Sequence, residues 1–272
     1  MLLQRVLTAV ILAPLAVAVI VFPPTWLFAL VVAAVFLAAE WEWTGACGLR
    51  SVSARAAMLA FTLALLAVLW WARLTPWLWL AVILAGVAWW LVSLTWLRGY
   101  TFAASPSREH VWLKLAVGLC IFIPAWVALT TLHAGPQGHG WVLLALCIVW
   151  AADIGAYFSG RLLGRRKLAP RISPGKTRAG AGGALVAGML VAAFGGWLLD
   201  VRGGWLVALA ILGAVTVAAS IIGDLFESLM KRHAEIKDSG TLLPGHGGLL
   251  DRMDSVFAAI PVFVIGKLVL GL

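Results

Sequence analysis

WLVALAILGAVTVAASIIGDLF, from Trp205 to Phe226, runs 22 residues with one ionisable side chain, Asp224. A helix of about 20 mostly apolar residues crosses a bilayer core, so this stretch reads as a transmembrane span with an acid near one end. Working outward, runs of the same kind fall at 5–22, 25–40, 57–73, 76–97, 112–132, 141–160, 180–199, 205–226 and 254–271. Arg5 and Ala16-x-Ala18 imitate a signal peptide, but the apolar run continues to Phe22 with no polar segment after it. The first span is therefore expected to be an uncleaved helix. Composition agrees: of 272 residues, 63% are hydrophobic and 11% charged, with mean hydropathy +1.03. Soluble domains are about 45–50% apolar and about 25% charged, which excludes a soluble enzyme, a disordered tail and a disulfide-stapled module. The expected fold is an all-α integral membrane protein of about nine transmembrane helices.

The placement of the basic residues predicts the orientation. With the N-terminus cytoplasmic, nine spans put 17 of the 20 Lys and Arg on the inner side and leave only Arg73, Arg202 and Lys267 outside. Cytoplasmic loops carry such an excess, and removing or adding one of the first eight spans would separate the two most basic loops. The net charge of +9 thus belongs to membrane topology and anionic ligands, and no nucleic-acid partner is expected. Residues 1–140, spans 1–5, carry little chemistry. Residues 141–272, spans 6–9, form the expected catalytic region, with cytoplasmic loops 161–179 and 227–253. Glu40 and Glu42 read as solvated interfacial carboxylates. Trp70, Trp71, Trp77, Trp79, Trp89, Trp90 and Trp96 read as an interfacial belt. Cys47, Cys120 and Cys147 match no metal or disulfide pattern, and His133 and His139 have no carboxylate or thiol nearby in sequence.

Two cytoplasmic segments hold the chemistry. From Arg161 to Arg178 there are seven bases in eighteen positions and no acid. Such a loop also suits anionic lipid headgroups. Within it, Ser173-Pro174-Gly175-Lys176-Thr177 offers a hydroxyl, a close backbone approach and a point charge, the ingredients of phosphate binding. It is not a P-loop, because Pro170 occupies the first glycine position and no strand is expected before it. In the second segment Asp224, Asp251 and Asp254 offer the oxygen ligands that Mg²⁺ prefers. Asp153 is a further acid at the end of span 6. The plainer reading pairs Asp238 with Lys237 and Asp251 with Arg252. Three acids, several bases and the Gly247-Gly248 turn at one helix mouth fit metal-assisted chemistry on a phosphate better.

These residues carry a resemblance. Ser228-x-Met230-Lys231-Arg232, then Lys237-Asp238-x-Gly240, then Leu243-Pro244-x-His246-Gly247-Gly248-Leu249-x-Asp251-Arg252-Met253-Asp254 resembles the C-terminal signature of the phosphatidate cytidylyltransferase (CDP-diacylglycerol synthase) family. Gly223-Asp224-Leu225-x-Glu227-Ser228, Asp153-x-Gly155-Ala156-Tyr157-Phe158 and Ser173-Pro174-x-Lys176-Thr177 are similar to it as well. After the Lys-Thr the family usually shows an aromatic residue and then Glu, where this chain has Arg178 and Ala179.

The resemblance implies transfer of CMP from CTP to phosphatidic acid, giving CDP-diacylglycerol and pyrophosphate with Mg²⁺, a second cation being possible. It implies catalytic roles for Asp224, Asp251, Lys231, Arg232 and Arg252, and metal ligation by Asp224, Asp251 and Asp254. Substrate contacts fall to Ser173, Lys176, Thr177, Lys237, Asp238, His246, Gly247 and Gly248, with His246 a donor rather than a base. The implied partners are CTP, phosphatidic acid, membrane lipids and a second copy of the chain as a homodimer, in the inner membrane of a bacterium. The alternatives are a cytidylyltransferase for another phospholipid acceptor and a transporter of anionic lipid. A CDP-alcohol phosphotransferase lacks support, since its spaced-aspartate motif is absent.

Overall fold

The computed structural model describes residues 13–104, 107–240 and 247–272. Residues 13–21 are helical. Eight longer helices follow: α1 (Thr25–Ala46), α2 (Val52–Trp71), α3 (Pro76–Arg98), α4 (Arg108–Ala134), α5 (Gly138–Leu163), α6 (Arg178–Leu198), α7 (Gly204–His233) and α8 (Leu250–Val269). Capping explains several starts. Ser51, Ser107 and Thr177 each accept a hydrogen bond from the backbone N–H three residues on, and Pro76 opens α3, where its missing N–H costs nothing. Among the described residues, seven helices (α1, α4 to α7, and α2 and α3) are long and apolar enough to cross a membrane. Helix α8 carries Asp251, Arg252, Asp254 and Lys267 and does not join them. The chain is a multi-pass, predominantly helical membrane protein. The start of the first predicted span, residues 5–12 with Arg5, lies outside the described residues.

Several helices outrun their predicted spans, and the overruns of α1 and α7 carry polar residues that bear on the site. Helix α1 continues from 40 to Ala46 because Glu40 and Glu42 are buried rather than solvated, at 0% and 5% exposure. Glu40 accepts from Thr62 Oγ1 of α2 at 2.7 Å. Helix α7, at 30 residues, is about 45 Å long. That exceeds a hydrocarbon core of about 30 Å, and its charged residues Glu227, Lys231 and Arg232 all fall in its last turns.

Part of the expected aromatic belt lies in the core. Trp79, Trp90 and Trp96 are buried, and Phe226 of α7 is ringed by Trp43, Trp89, Trp90 and Trp96 at centroid distances of 5.6–6.3 Å. A buried indole N–H is costly to leave without an acceptor, and five tryptophans have one, whereas Trp89 Nε1 does not. Trp43 donates to the Lys114 carbonyl, Trp90 to Phe257, Trp96 to Phe102, Trp79 to Leu69 and Trp126 to Ala29, at 2.8–3.2 Å. The large number of tryptophans therefore serves interhelical pinning as well as the membrane boundary.

The basic loop is not irregular. Lys167–Ala169 (β1) and Ser173–Thr177 (β2) form an antiparallel hairpin, with Lys167 opposite Thr177 and Ala169 opposite Ser173. Pro170 and Arg171 make the tip, Ile172 is buried, and Arg232 Nε of α7 donates to the Ile172 carbonyl at 3.2 Å. Among the described residues, this small sheet is the one departure from the expected all-α fold.

Close helix contacts depend on glycine. A Cβ on Gly223 of α7 would lie 2.5 Å from the Asp254 carbonyl oxygen and 2.9 Å from Ala258 Cβ of α8. Gly223→Ala must therefore push α7 and α8 apart, with an expected loss of about 1–3 kcal/mol. A melt of the protein in detergent checks it: an unchanged melting temperature would disprove this packing.

Candidate functional site

At the hairpin end of the bundle, helices α5, α6, α7 and α8 and strand β2 enclose a cavity of about 450 Å³. Its polar lining is Asp153, Tyr157 and Arg161 from α5, Lys176 and Thr177 from β2, Ser220 and Asp224 from α7, and Ser255 from α8. The Lys176 ammonium forms an ion pair with the Asp224 carboxylate, and Ser228 Oγ donates to Asp224 Oδ1 at 3.4 Å. Asp254 adjoins Ser255, whose N–H it accepts at 2.6 Å. The Gly223 contact brings Asp254 near enough to Asp224 for their charges to interact, and Asp153 feels Asp224, Lys176 and Arg252 in the same way. Thr177 has a structural role, since its hydroxyl oxygen caps α6 by accepting from the Gly180 N–H at 3.0 Å. The first turn of α6 borders the cavity through Gly180 and Ala181, and its dipole favours anions there, although the N–H groups of Arg178 and Gly180 are already taken by the Arg166 carbonyl and Thr177.

A second cluster stands beside the cavity. Lys231 Nζ lies 2.7 Å from Glu227 Oε2 and 2.6 Å from Asp251 Oδ1. Asp251 Oδ2 accepts from the N–H groups of Ser239 and Gly248 at 3.0 and 2.9 Å. Burial works to raise the Asp251 pKa, but the Lys231 ammonium and those two N–H donors prevail and hold it at about 2. Beneath this knot, Glu42 Oε2 of α1 accepts from Ser239 Oγ at 3.0 Å and from the Leu250 N–H, at the start of α8, at 2.8 Å. Gly247 has φ +82°, which favours glycine. At Gly248 a Cβ would lie 2.5 Å from Glu42 Oε2 and 2.7 Å from the Gly240 nitrogen.

Among the predicted site residues, Lys176, Thr177 and Asp224 line the cavity, with Asp254 adjoining it. Lys231, Asp251 and Gly248 form the neighbouring knot. Arg232 ties down the hairpin tip. Ser173 opens β2, away from the cavity lining. Lys237, Asp238 and Arg252 are exposed, and Gly247 faces Asp238 and Asp251. His246 lies outside the described residues. Asp251 pairs with Lys231, twenty residues away, rather than with Arg252. Among the described residues, no three His, Cys, Asp or Glu side chains form a ready cation cage. Mg²⁺ asks for less, since one or two carboxylates completed by substrate phosphates suffice, and Asp224 and Asp254 offer hard oxygen donors of that kind. The sequence did not single out Arg161, Ser220 or Ser255. Glu42 and Glu227 gave no signal that distinguishes a buried, bonded acid from a solvated one.

A helical bundle with a charged cavity at one end, walled by a basic hairpin, defines a multi-pass membrane protein with a polar site at one end of its helices. Residues 3–269 match the model of the cytidylyltransferase family. The chain is similar to the phosphatidate cytidylyltransferase of Pseudomonas aeruginosa, 43% identical over 264 residues, covering 97% of this chain and 96% of the relative. It is also similar to that of Haemophilus influenzae, at 36% over 283 residues and 97% of each chain. Similarity to the Bacillus subtilis enzyme of the same name is 41% over 124 residues, 46% of each. This chain belongs to the cytidylyltransferase family, as the C-terminal signature implied.

Proposed function

We propose that this protein transfers CMP from CTP to phosphatidic acid, releasing pyrophosphate and forming CDP-diacylglycerol, in the inner membrane of a bacterium. In the same reading the chain spans the membrane nine times, its N-terminus and the cavity face the cytoplasm, and it works as a homodimer. The observation that carries the reading is the meeting of Lys176 and Asp224 in one cavity. Those residues come from two separated segments resembling a family whose full-length relatives bear that name.

An oxygen of the lipid phosphate attacks the α-phosphorus of CTP. As that bond forms, the bond from the α-phosphorus to the bridging oxygen of the β-phosphate breaks, and pyrophosphate leaves with the electron pair. A phosphate monoester loses its second proton near pH 6, so the nucleophile needs no general base. Two polyanions must still meet, and positioned positive charge lowers that barrier. Lys176 and the first turn of α6 border the cavity and are placed to supply it, and the resemblance adds Lys231 from the neighbouring knot. Asp224 and Asp254 would hold Mg²⁺. When bound, the cation would neutralise and orient the phosphates. Asp224 and Asp251 are both ion-paired, with Lys176 and Lys231, but Asp251 is held in addition by the N–H groups of Ser239 and Gly248, so its assigned role is to hold Lys231 in place.

The test is purified protein in detergent micelles with phosphatidic acid and CTP labelled in the α-phosphate. Labelled CDP-diacylglycerol should form with MgCl₂ and disappear with EDTA. Asp224→Asn should lower kcat/KM by about a hundredfold or more, the rate equivalent of about 2.7 kcal/mol. Turnover with another phospholipid but not phosphatidic acid would establish the alternative acceptor. Lipid movement without nucleotide turnover would establish the transporter.

A further inference from the structure

Among the described residues, two cations line the cavity, Lys176 and Arg161, and they differ in what they are free to do. Lys176 forms an ion pair with Asp224. No carboxylate of the described residues pairs with Arg161, whose Nη1 donates to Tyr157 Oη at 2.8 Å. A guanidinium has five N–H donors in a rigid fork that matches phosphate oxygens, and this contact uses one. Arg161 also stands in the last turn of α5, where the helix dipole favours a cation.

The surroundings indicate which phosphate it meets. Ile154, Tyr157, Phe158, Arg161 and Leu162 follow the i, i+3, i+4, i+7, i+8 spacing of one helix face. The four other than Arg161 are 57–78% exposed, so in a bilayer this face lies against lipid. Tyr157 and Arg161 alone belong both to that face and to the cavity lining. A ligand reaching Arg161 along this path has chains in the leaflet and a phosphate at their end. A nucleotide arriving from water has no use for an apolar approach.

We propose that Arg161, steadied by the Tyr157 hydroxyl, receives the phosphomonoester headgroup of the lipid acceptor, with its acyl chains lying along the exposed face of α5. This rests on the reaction assigned above. It also gives a basis for acceptor choice: a monoester presents three terminal oxygens and up to two charges to the fork, a phosphodiester lipid two oxygens and one charge.

Mixed micelles separate the substrates, because the surface fraction of phosphatidic acid and the concentration of CTP vary independently. Arg161→Gln should raise the apparent KM for phosphatidic acid about tenfold or more, the range of a charged hydrogen bond, and leave the KM for CTP within about twofold. Arg161→Lys, which keeps the charge and loses the fork, should fall between, and Tyr157→Phe should move the lipid KM in the same direction by less. A rise in the CTP KM alone, equal rises in both, or a change in kcat alone would overturn the proposal. A melting temperature equal to wild type excludes misfolding for Arg161→Gln, and Arg161→Lys serves if that variant fails to fold. An inactive wild type would instead overturn the assigned reaction.

Discussion

Asp251→Asn lowers CMP transfer by about a thousandfold, the rate equivalent of about 4 kcal/mol, and lowers the melting temperature as well. The carboxylate serves two sets of donors, one per oxygen. Oδ1 holds the Lys231 ammonium, and Oδ2 gathers the N–H groups of Ser239 and Gly248. Asn removes the charge and places an NH₂ donor against either an ammonium or two N–H donors, so one side of the knot must open. With side-chain exposures of 9% for Asp251 and 16% for Lys231, water replaces little of what is lost. Removing one partner of a buried ion pair costs about 3–5 kcal/mol. Asp200→Asn is the control, since its pair with Arg202 is exposed, at 78% and 56%, and such pairs contribute about 0–1 kcal/mol. A normal turnover rate in Asp251→Asn would sink the account.

The same residue sets a pH dependence of defined sign. A carboxyl lowered from 3.8 to about 2 contributes stability that is fully present above its ordinary value and is lost as pH falls through the folded one. The Asp251 carboxylate itself therefore contributes to the melting-temperature gap between wild type and Asp251→Asn down to about pH 4, and that contribution should be lost only below it. A gap that persists undiminished below about pH 2 would contradict the arrangement around Asp251.

The parts of this molecule that were legible in its sequence are those the bilayer dictates. Crossing hydrocarbon demands long apolar runs, so α3 and α6 stand near where hydropathy puts them. Tryptophan was misread because indole suits both a membrane boundary and a core. Trp90 and Trp96 face Phe226, which hydropathy has no means of encoding. The hairpin was missed because Pro170, Pro174 and Gly175 read as loop residues, while its pairing comes from β1 and β2 meeting against Arg232. Lys176, Asp224 and Asp251 were singled out because charge is rare in such a chain. Their true partners were not, since sequence adjacency suggested Arg252 for Asp251 where tertiary packing supplied Lys231. Glu42 shows the limit most clearly: its partners lie 197 and 208 residues away, and no local pattern marks them.

Glu42→Ala should therefore be nearly as damaging as any change in the site, although Glu42 does not line the cavity. Its carboxylate is the acceptor for the Ser239 hydroxyl and the Leu250 N–H, and it supplies negative charge at the start of α8, where the dipole favours it. Alanine leaves both donors buried without an acceptor, at about 1–3 kcal/mol each, and opens a void against Gly240 and Gly248. The expected loss is about 4 kcal/mol of stability, with turnover falling because Ser239 and Gly248 no longer hold Asp251, and Asp251 no longer holds Lys231. Glu42→Gln keeps an oxygen for both donors and should recover most of the stability. Gly248→Ala attacks the same junction from the other side, since its Cβ would press on Glu42 Oε2. Changes that break one junction do not add, so the double variant Glu42→Ala with Gly248→Ala should be little worse than the more damaging single one. Melting temperatures and turnover of the three variants decide the matter. Fully additive losses would mean that Glu42 and the glycine turn act separately, and the chain of contacts from α1 through Ser239 and Asp251 to Lys231 would then carry no coupling.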